Sequence, residues 1–293
     1  MRPEVWRWLR LLVGAAILAV LGLRLGSAPF VAGLLAASPA ALAVALVVTA
    51  GTTWCCALRW SLVAGRLGAP VSVAQAYVAC YRSQLINATL PGGVVGDVHR
   101  GARHGWRAVV WERGLGQAVQ VALTVLVLLV LPSPFAGLTG LVALAAVVAA
   151  VVAGALGRRD LRRLLTPRVA VPVVLLSAVA VAGHLLVLVV AARTSAVQLP
   201  LTSLLPVGAL VLGGSAVPTN VAGWGPREGV AAWAFAATGA GADAGLTVSV
   251  AYGVMSLVAT LPGLLVLGRR RPGPTVDELD ERDEFDETVV LHG

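Results

Sequence analysis

Lysine is missing from this sequence altogether: all 22 basic residues are arginine. That usage fits a GC-rich coding sequence better than a functional demand for guanidinium. Charge of either sign is scarce too, at 12% of 293 residues, against 58% hydrophobic residues and a mean hydropathy of +0.87. A water-soluble fold is excluded for the body of such a chain. Its apolar surface is too large to hide from water, and several runs approach the roughly 20 apolar residues that cross a bilayer. Cysteine is limited to Cys55, Cys56 and Cys80, which lack metal-ligand spacing. An adjacent pair is poorly placed to bridge to itself and an odd count argues against a disulfide framework, so all three read as small packing residues. No nucleotide-binding loop is present, which leaves a gradient or passive movement to drive any transport. No small-residue cleavage site follows the basic-then-apolar N-terminus, which therefore reads as a signal anchor retained as the first helix.

What charge there is falls unevenly. Eight of the 14 acids lie between Asp277 and Glu287, leaving six acids against 21 Arg elsewhere. The body is thus far more basic than the net +8 suggests, a surface suited to anionic lipid headgroups, although most of those Arg need only set topology. Residues 1–268 are expected to form a transmembrane domain, and residues 269–293 a basic stop followed by an acidic, unstructured cytoplasmic tail.

The positive-inside rule puts Arg2, Arg7 and Arg10, and hence the N-terminus, in the cytoplasm. Helix 1 ends near Gly26, the link from Pro29 to Pro39 reads as external, and helix 2 returns from Pro39 to Trp60 into a loop carrying Arg59 and Arg66. The next basic loop, with Arg100, Arg103, Arg107 and Arg113, should also be cytoplasmic, yet only one segment, Val73 to Gly96, separates the two. A segment that enters, breaks at Leu90-Pro91-Gly92-Gly93 and comes back resolves the conflict; one misassigned loop would also remove it. Such a break is tolerated at membrane depth only where protein or a water-filled cavity covers its backbone. Gln75, Arg82, Ser83 and Asn87 give this segment a polar stripe expected to face the bundle interior. Further helices are expected at about Ala108 to Leu131, up to Leu156, Val169 to Ala192 and Leu246 to Leu267, with Arg158, Arg159, Arg162, Arg163 and Arg168 in a cytoplasmic loop. Arg269 to Arg271 then fix the C-terminus inside. Arg113, Gln117, Gln120 and Thr124 share one helix face, and His184 reads as a helix-to-helix hydrogen-bonding residue.

Two Pro/Gly breaks, each followed by charge, carry the chemistry. The first is Asn87-Ala-Thr-Leu-Pro91-Gly92-Gly93-Val-Val-Gly96-Asp97-Val-His99-Arg100, where Asp97 is placed to cap a new helix and Arg100, Arg103 and His104 form a basic patch. The second is Pro218-Thr-Asn220-Val-Ala-Gly223-Trp224-Gly225-Pro226-Arg227-Glu228, with Pro226 at a first helical position. A helix N-terminus offers unpaired N–H groups, so a phosphate could be held there with Arg227. Broken segments at corresponding places in two halves are the pattern of transporters built from inverted repeats. Either break could instead simply end a helix, with Glu228 as its cap.

These two stretches, with Arg113-Gly114, resemble the signature regions of the lysylphosphatidylglycerol synthase transmembrane-region family of flippase-like membrane proteins, over most of the chain up to about Gly268. The resemblance implies an all-α polytopic bundle of about eight helices, two of them Pro/Gly-broken and re-entrant, associated with moving lipids between leaflets. No soluble aminoacyl-transferring domain follows the last helix here, so synthesis of the aminoacylated lipid is not expected.

The leading expectation is a flippase or scramblase of an anionic or polyprenyl-type lipid in the plasma membrane. Arg100, Arg113 and Arg227 would hold the headgroup. Asp97 and Glu228 would position those Arg, and Gln117, Gln120 and Asn220 would line the path. Asn87, Pro91, Gly92, Gly93, Gly96, Gly223 and Gly225, at the two breaks, would be part of the substrate-binding site. An intramembrane transferase using Asp97 or Glu228 as base is a second reading, and a non-catalytic partner of a cell-envelope enzyme, docked through the acidic tail, a third. Asp97, His99 and His104 are the only candidate metal cluster, and neither a metal nor a cofactor is expected.

Overall fold

The computed structural model describes residues 3–90, 93–216, 221 and 223–267. Thirteen α-helices and one 3-10 turn make up these residues, with a single isolated bridge, Val221 to Trp224, as the extended pairing among them. The protein is all-α. Helix α1 (Pro3–Leu25) turns through 104° at Gly26-Ser27 into α2 (Ala28–Ala36). Gly26 has φ +71, a conformation that only glycine adopts without strain. The link expected at Pro29 to Pro39 is therefore largely helical, because Pro29 stands in the first turn, where its missing N–H costs nothing.

Helix α3 (Pro39–Arg66) starts at Ser38, whose Oγ accepts from the Ala41 N–H. Helix α4 (Val73–Thr89) starts in the same way at Ser72. The chain then breaks and reverses into α5 (Val95–His104), which packs back onto α4. Helices α6 (Trp106–Val130) and α7 (Ala136–Leu156) follow, and the arginine-rich stretch forms a short helix, α8 (Arg158–Leu164), where a loop was expected. Helix α9 (Pro167–Thr194) lies along α3. A Cβ on Gly183 would come within 2.4 Å of Thr52 Cγ2, so the two helices approach as closely as they do only because that side chain is a hydrogen.

A second reversal separates α10 (Leu201–Ser215) from α11 (Pro226–Ala237), again packed on one another. Helix α12 (Ala242–Thr260) continues through the 3-10 turn Leu261–Gly263 into α13 (Leu264–Leu267). The expectation of about eight helices understates this segmentation, since the link, the arginine-rich stretch and both halves of each broken segment are separate helices.

Among the described residues, α3, α6, α9 and Ala242–Val266 are long and apolar enough to cross a bilayer, and the bent α1–α2 pair gives a fifth candidate. Large apolar side chains such as Val47, Leu129, Val171 and Leu265 are exposed along these helices, as expected of a lipid-facing surface. The chain is a multi-pass membrane protein.

Two apolar clusters hold the bundle. One, with Leu188, Leu204, Phe235 and Met255, joins α9 to α12; the other, with Trp60, Val63, Val109, Leu164 and Val169, ties the far end of α3 to α6, α8 and α9. The charged site stands beside the second.

Candidate functional site

Ser83 and Asn87 are one turn apart on α4 and present their polar atoms to the same side. Across the break, α5 lies so close that a Cβ on Gly96 would fall 2.2 Å from the Ser83 carbonyl oxygen. Glycine at 96 is thus a packing requirement. The Gly96 N–H donates to Asn87 Oδ1 at 2.7 Å, and Asn87 Nδ2 donates to Asp97 Oδ2 at 3.0 Å. Ser83 Oγ donates to Asp97 Oδ1 at 3.0 Å. Asp97 was expected to cap free amides of its own helix. It stands in the first turn of α5, but its carboxylate points away to these side chains and to two guanidiniums, because charged donors bind it more strongly than a backbone amide.

Those guanidiniums are Arg100 and Arg113. Arg100 Nη2 donates to Asp97 Oδ1 at 3.1 Å and to Glu112 Oε2 at 2.8 Å, and the group lies over the Trp60 ring at 4.6 Å. Arg113 Nη2 is 2.7 Å from Asp97 Oδ2. Glu112 is shared with Arg59, whose Nε donates to Oε1 at 3.0 Å and whose Nη2 contacts the same oxygen. Arg59 Nη1 donates to Ser177 Oγ at 2.8 Å on α9. The cluster therefore draws on α3, α4, α5, α6 and α9, and it holds three guanidiniums against two carboxylates.

Exposure is graded across it. Glu112, Arg100 and Arg59 side chains are 2%, 3% and 7% accessible, Asp97 17% and Arg113 44%. One end is sealed in protein and the other opens at Arg113. Gln117, one turn along α6, is exposed, Gln120 is half-buried, and Thr124, at the end of that face, is buried.

Two expectations need correction here. Arg59 is not a loop residue, since α3 runs on to Arg66 and Arg59 is buried inside it. Arg100 does not share a basic patch with Arg103 at the mouth of the break; it is buried with two carboxylates, while Arg103 is exposed. In both cases the missing information was the partner, Glu112, brought in by tertiary packing. His104 packs edge-on against Trp60 at 5.3 Å. Among the described residues no three His, Cys, Asp or Glu side chains converge as metal ligands.

The second break forms a separate network. Gly225 has φ +123 and lies against α1, where a Cβ would come 2.9 Å from Gly14 Cα. Its N–H donates to Glu228 Oε2 at 2.7 Å, so Glu228 caps α11. Arg227 donates to Glu228 Oε1 through Nε (2.9 Å) and Nη2 (2.6 Å), and Nε also reaches Ser249 Oγ at 3.1 Å. Its guanidinium lies between the Trp224 and Tyr252 rings, at 5.2 and 5.4 Å. Gly253 makes the room for it. Arg227 and Glu228 are buried and balance one another.

The two breaks approach one another: a Cβ added to Gly223 (φ +83) would lie 4.0 Å from Ala88 Cα at the end of α4. Gly93, on the far side of the first break, has φ +60. Pro91, Gly92 and Asn220, and the tail from residue 268, lie outside the described residues. Sequence reasoning passed over Arg59, Glu112, Ser177 and Ser249 as site residues. A charge inside the apolar run of α3 was the available signal for Arg59, and a lone acid beside Arg113 near the start of α6 the signal for Glu112.

No curated protein and no solved structure matches the chain. A family model, that of the lysylphosphatidylglycerol synthase TM region, matches residues 7–263. That span takes in both breaks, every described residue of the two networks and the helices that hold them, so the chain belongs to the lysylphosphatidylglycerol synthase transmembrane-region family.

Proposed function

We propose that this protein moves a lipid with an anionic, phosphate-bearing headgroup, a phospholipid or a polyprenyl phosphate, between the leaflets of the plasma membrane as a flippase or scramblase. The observation that carries this reading is Arg113: a half-exposed guanidinium within a helix long enough to span, at the open end of a cluster with one positive charge in excess. The excess charge sits at the half-exposed end of the cluster, beside two further guanidiniums, and an incoming anion would offset their mutual repulsion. Arg113 holds the headgroup, with Gln117 and Gln120 along the same face. Arg100, Asp97, Glu112 and Arg59 fix the position of Arg113, and Arg227 with Glu228 fixes the start of α11 against α12.

The family's name, which refers to the membrane region of a lipid synthase, supports a lipid cargo. Transport is preferred over an intramembrane transferase because Asp97 and Glu228, the candidate bases, are both saturated with donors. The arginine distribution supports cytoplasmic N- and C-termini.

The test is reconstitution in liposomes with headgroup-labelled phosphatidylglycerol, following the accessible fraction with a membrane-impermeant quencher. Replacing Arg113 with Gln removes one charge-assisted contact, worth about 1.5–3 kcal/mol, so flipping should slow by roughly 10- to 100-fold while the protein still folds. A folded Arg113→Gln variant that flips at the wild-type rate would sink the proposed site.

A further inference from the structure

A basic, apolar-floored cleft lies away from both breaks, between the end of α7 and α8. Helix α8 is held firmly in place. Its one acid, Asp160, accepts from Arg107 Nε at 2.6 Å and from Trp111 Nε1 at 2.9 Å, both on α6, and Leu164 is buried in the core beneath. With Asp160 committed to Arg107, α8 has no further acid to pair with Arg158, Arg159, Arg162 and Arg163. All four are exposed, and none makes an ion pair among the described residues. Arg158 and Arg162 are four apart, hence on one face, and both line the cleft. Its remaining walls include Val151 and Gly154 of α7 and Leu161 and Leu165. A Cβ on Gly154 would still be 3.8 Å from Leu161 Cδ2, so the space there can be filled by a larger side chain.

We infer that this cleft binds an anionic phospholipid, with the phosphate on Arg158 and Arg162 and part of an acyl chain against Val151, Leu161 and Leu165. Charge complementarity selects the occupant. A soluble anion has no use for the apolar floor, and a zwitterionic lipid gains less from two unneutralised guanidiniums at a membrane surface. This site is independent of the transport reading, since it shares no residue with the cluster around Arg113.

The experiment uses the full chain in nanodiscs of equal parts phosphatidylglycerol and phosphatidylcholine, with lipid retained through purification counted by native mass spectrometry. Wild-type protein should retain phosphatidylglycerol preferentially. The Arg158→Gln, Arg162→Gln variant should weaken retention by roughly tenfold or more, at about fivefold for each guanidinium. The Arg159→Gln, Arg163→Gln variant, which removes the same charge outside the cleft, should retain far more. Filling the floor with Gly154→Leu should displace the lipid at unchanged charge. Equal losses in the two arginine pairs, or no loss in Gly154→Leu, would reduce the effect to diffuse surface charge and overturn the site. Competition by inorganic phosphate alone would mean a free anion is the ligand. A rise in retained lipid on truncation after Arg271 would mean that the acidic tail is the natural occupant. Either of these last two results also overturns the proposal. Flipping by the Arg158, Arg162 variant should equal wild type, so failure here leaves the transport reading standing.

Discussion

At the scale of single residues, Glu112 decides the most. It is sealed inside protein between Arg59, which pairs with no other carboxylate among the described residues, and Arg100, which it shares with Asp97. Removing one partner of a buried ion pair costs more than the pair is worth, because the remaining charge stays desolvated. Glu112→Gln should therefore destabilise by about 3–5 kcal/mol. The measurement is the loss of cooperative melting in detergent, and a melting temperature equal to wild type would contradict it. Glu112→Asp, which keeps the charge on a shorter stem, should recover part of the loss. The pairing itself was not visible in the sequence, where Arg59 looked like one more topology-setting arginine. Its partner is 53 residues away on another helix.

At the scale of elements, the two helical hairpins behave differently from ordinary spans. The α4–α5 pair is set by Gly96, which admits α5 to within contact of the Ser83 backbone. Gly96→Val should push the hairpin open and detach Asp97 from Ser83 and Asn87. Flipping should fall at least as far as in Arg113→Gln, and proteolysis should begin to cut between α4 and α5. An uncut, active variant would count against that packing.

Helix α8 offers a pH test. The hydrogen bond from Arg107 outweighs the effect of burial and holds the Asp160 carboxyl below the usual carboxylate range. A depressed carboxylate contributes stability above its unfolded value, about 3.9, and loses it as pH falls through the lower folded value. The indole N–H resonance of Trp111, assigned by its loss in a Trp111→Phe variant, should therefore hold steady at neutral pH and shift only in strong acid. Asp160→Asn should show the acid form at every pH. The reversal between α4 and α5 was legible from the parity of the arginine-bearing stretches, because chain direction follows from counting crossings. That α8 is a docked helix was not, because its anchor, Asp160 to Arg107, joins α8 to α6.

At the scale of the whole molecule, the two broken hairpins come from different halves of the chain and approach one another at Ala88 and Gly223. If the path for lipid opens between them, tying them together should arrest it. In a background with Cys55, Cys56 and Cys80 replaced by Ala, Ala88→Cys with Gly223→Cys should be joined by a short thiol cross-linker. Flipping should stop and resume on reduction. The positive φ at Gly223 adds a strain of about 1–2 kcal/mol for any larger side chain, so the uncross-linked double variant is the reference. Unchanged flipping in fully cross-linked protein would place the path elsewhere.

The sequence alone determined that this is an all-α, multi-pass membrane protein interrupted at two places, because hydropathy, Pro/Gly breaks and charge sidedness are local properties that survive without coordinates. The family signature lies in the same local stretches. Which charges meet was decided only by the tertiary structure. Asp97 and Arg113 were expected near the first break and lie there, but the cluster's sealed end, Arg59 with Glu112, and the inward turn of Arg227 onto Glu228 depend on helices far apart in the chain. A buried charge is tolerated only with its partner, and the partner is chosen by packing in three dimensions.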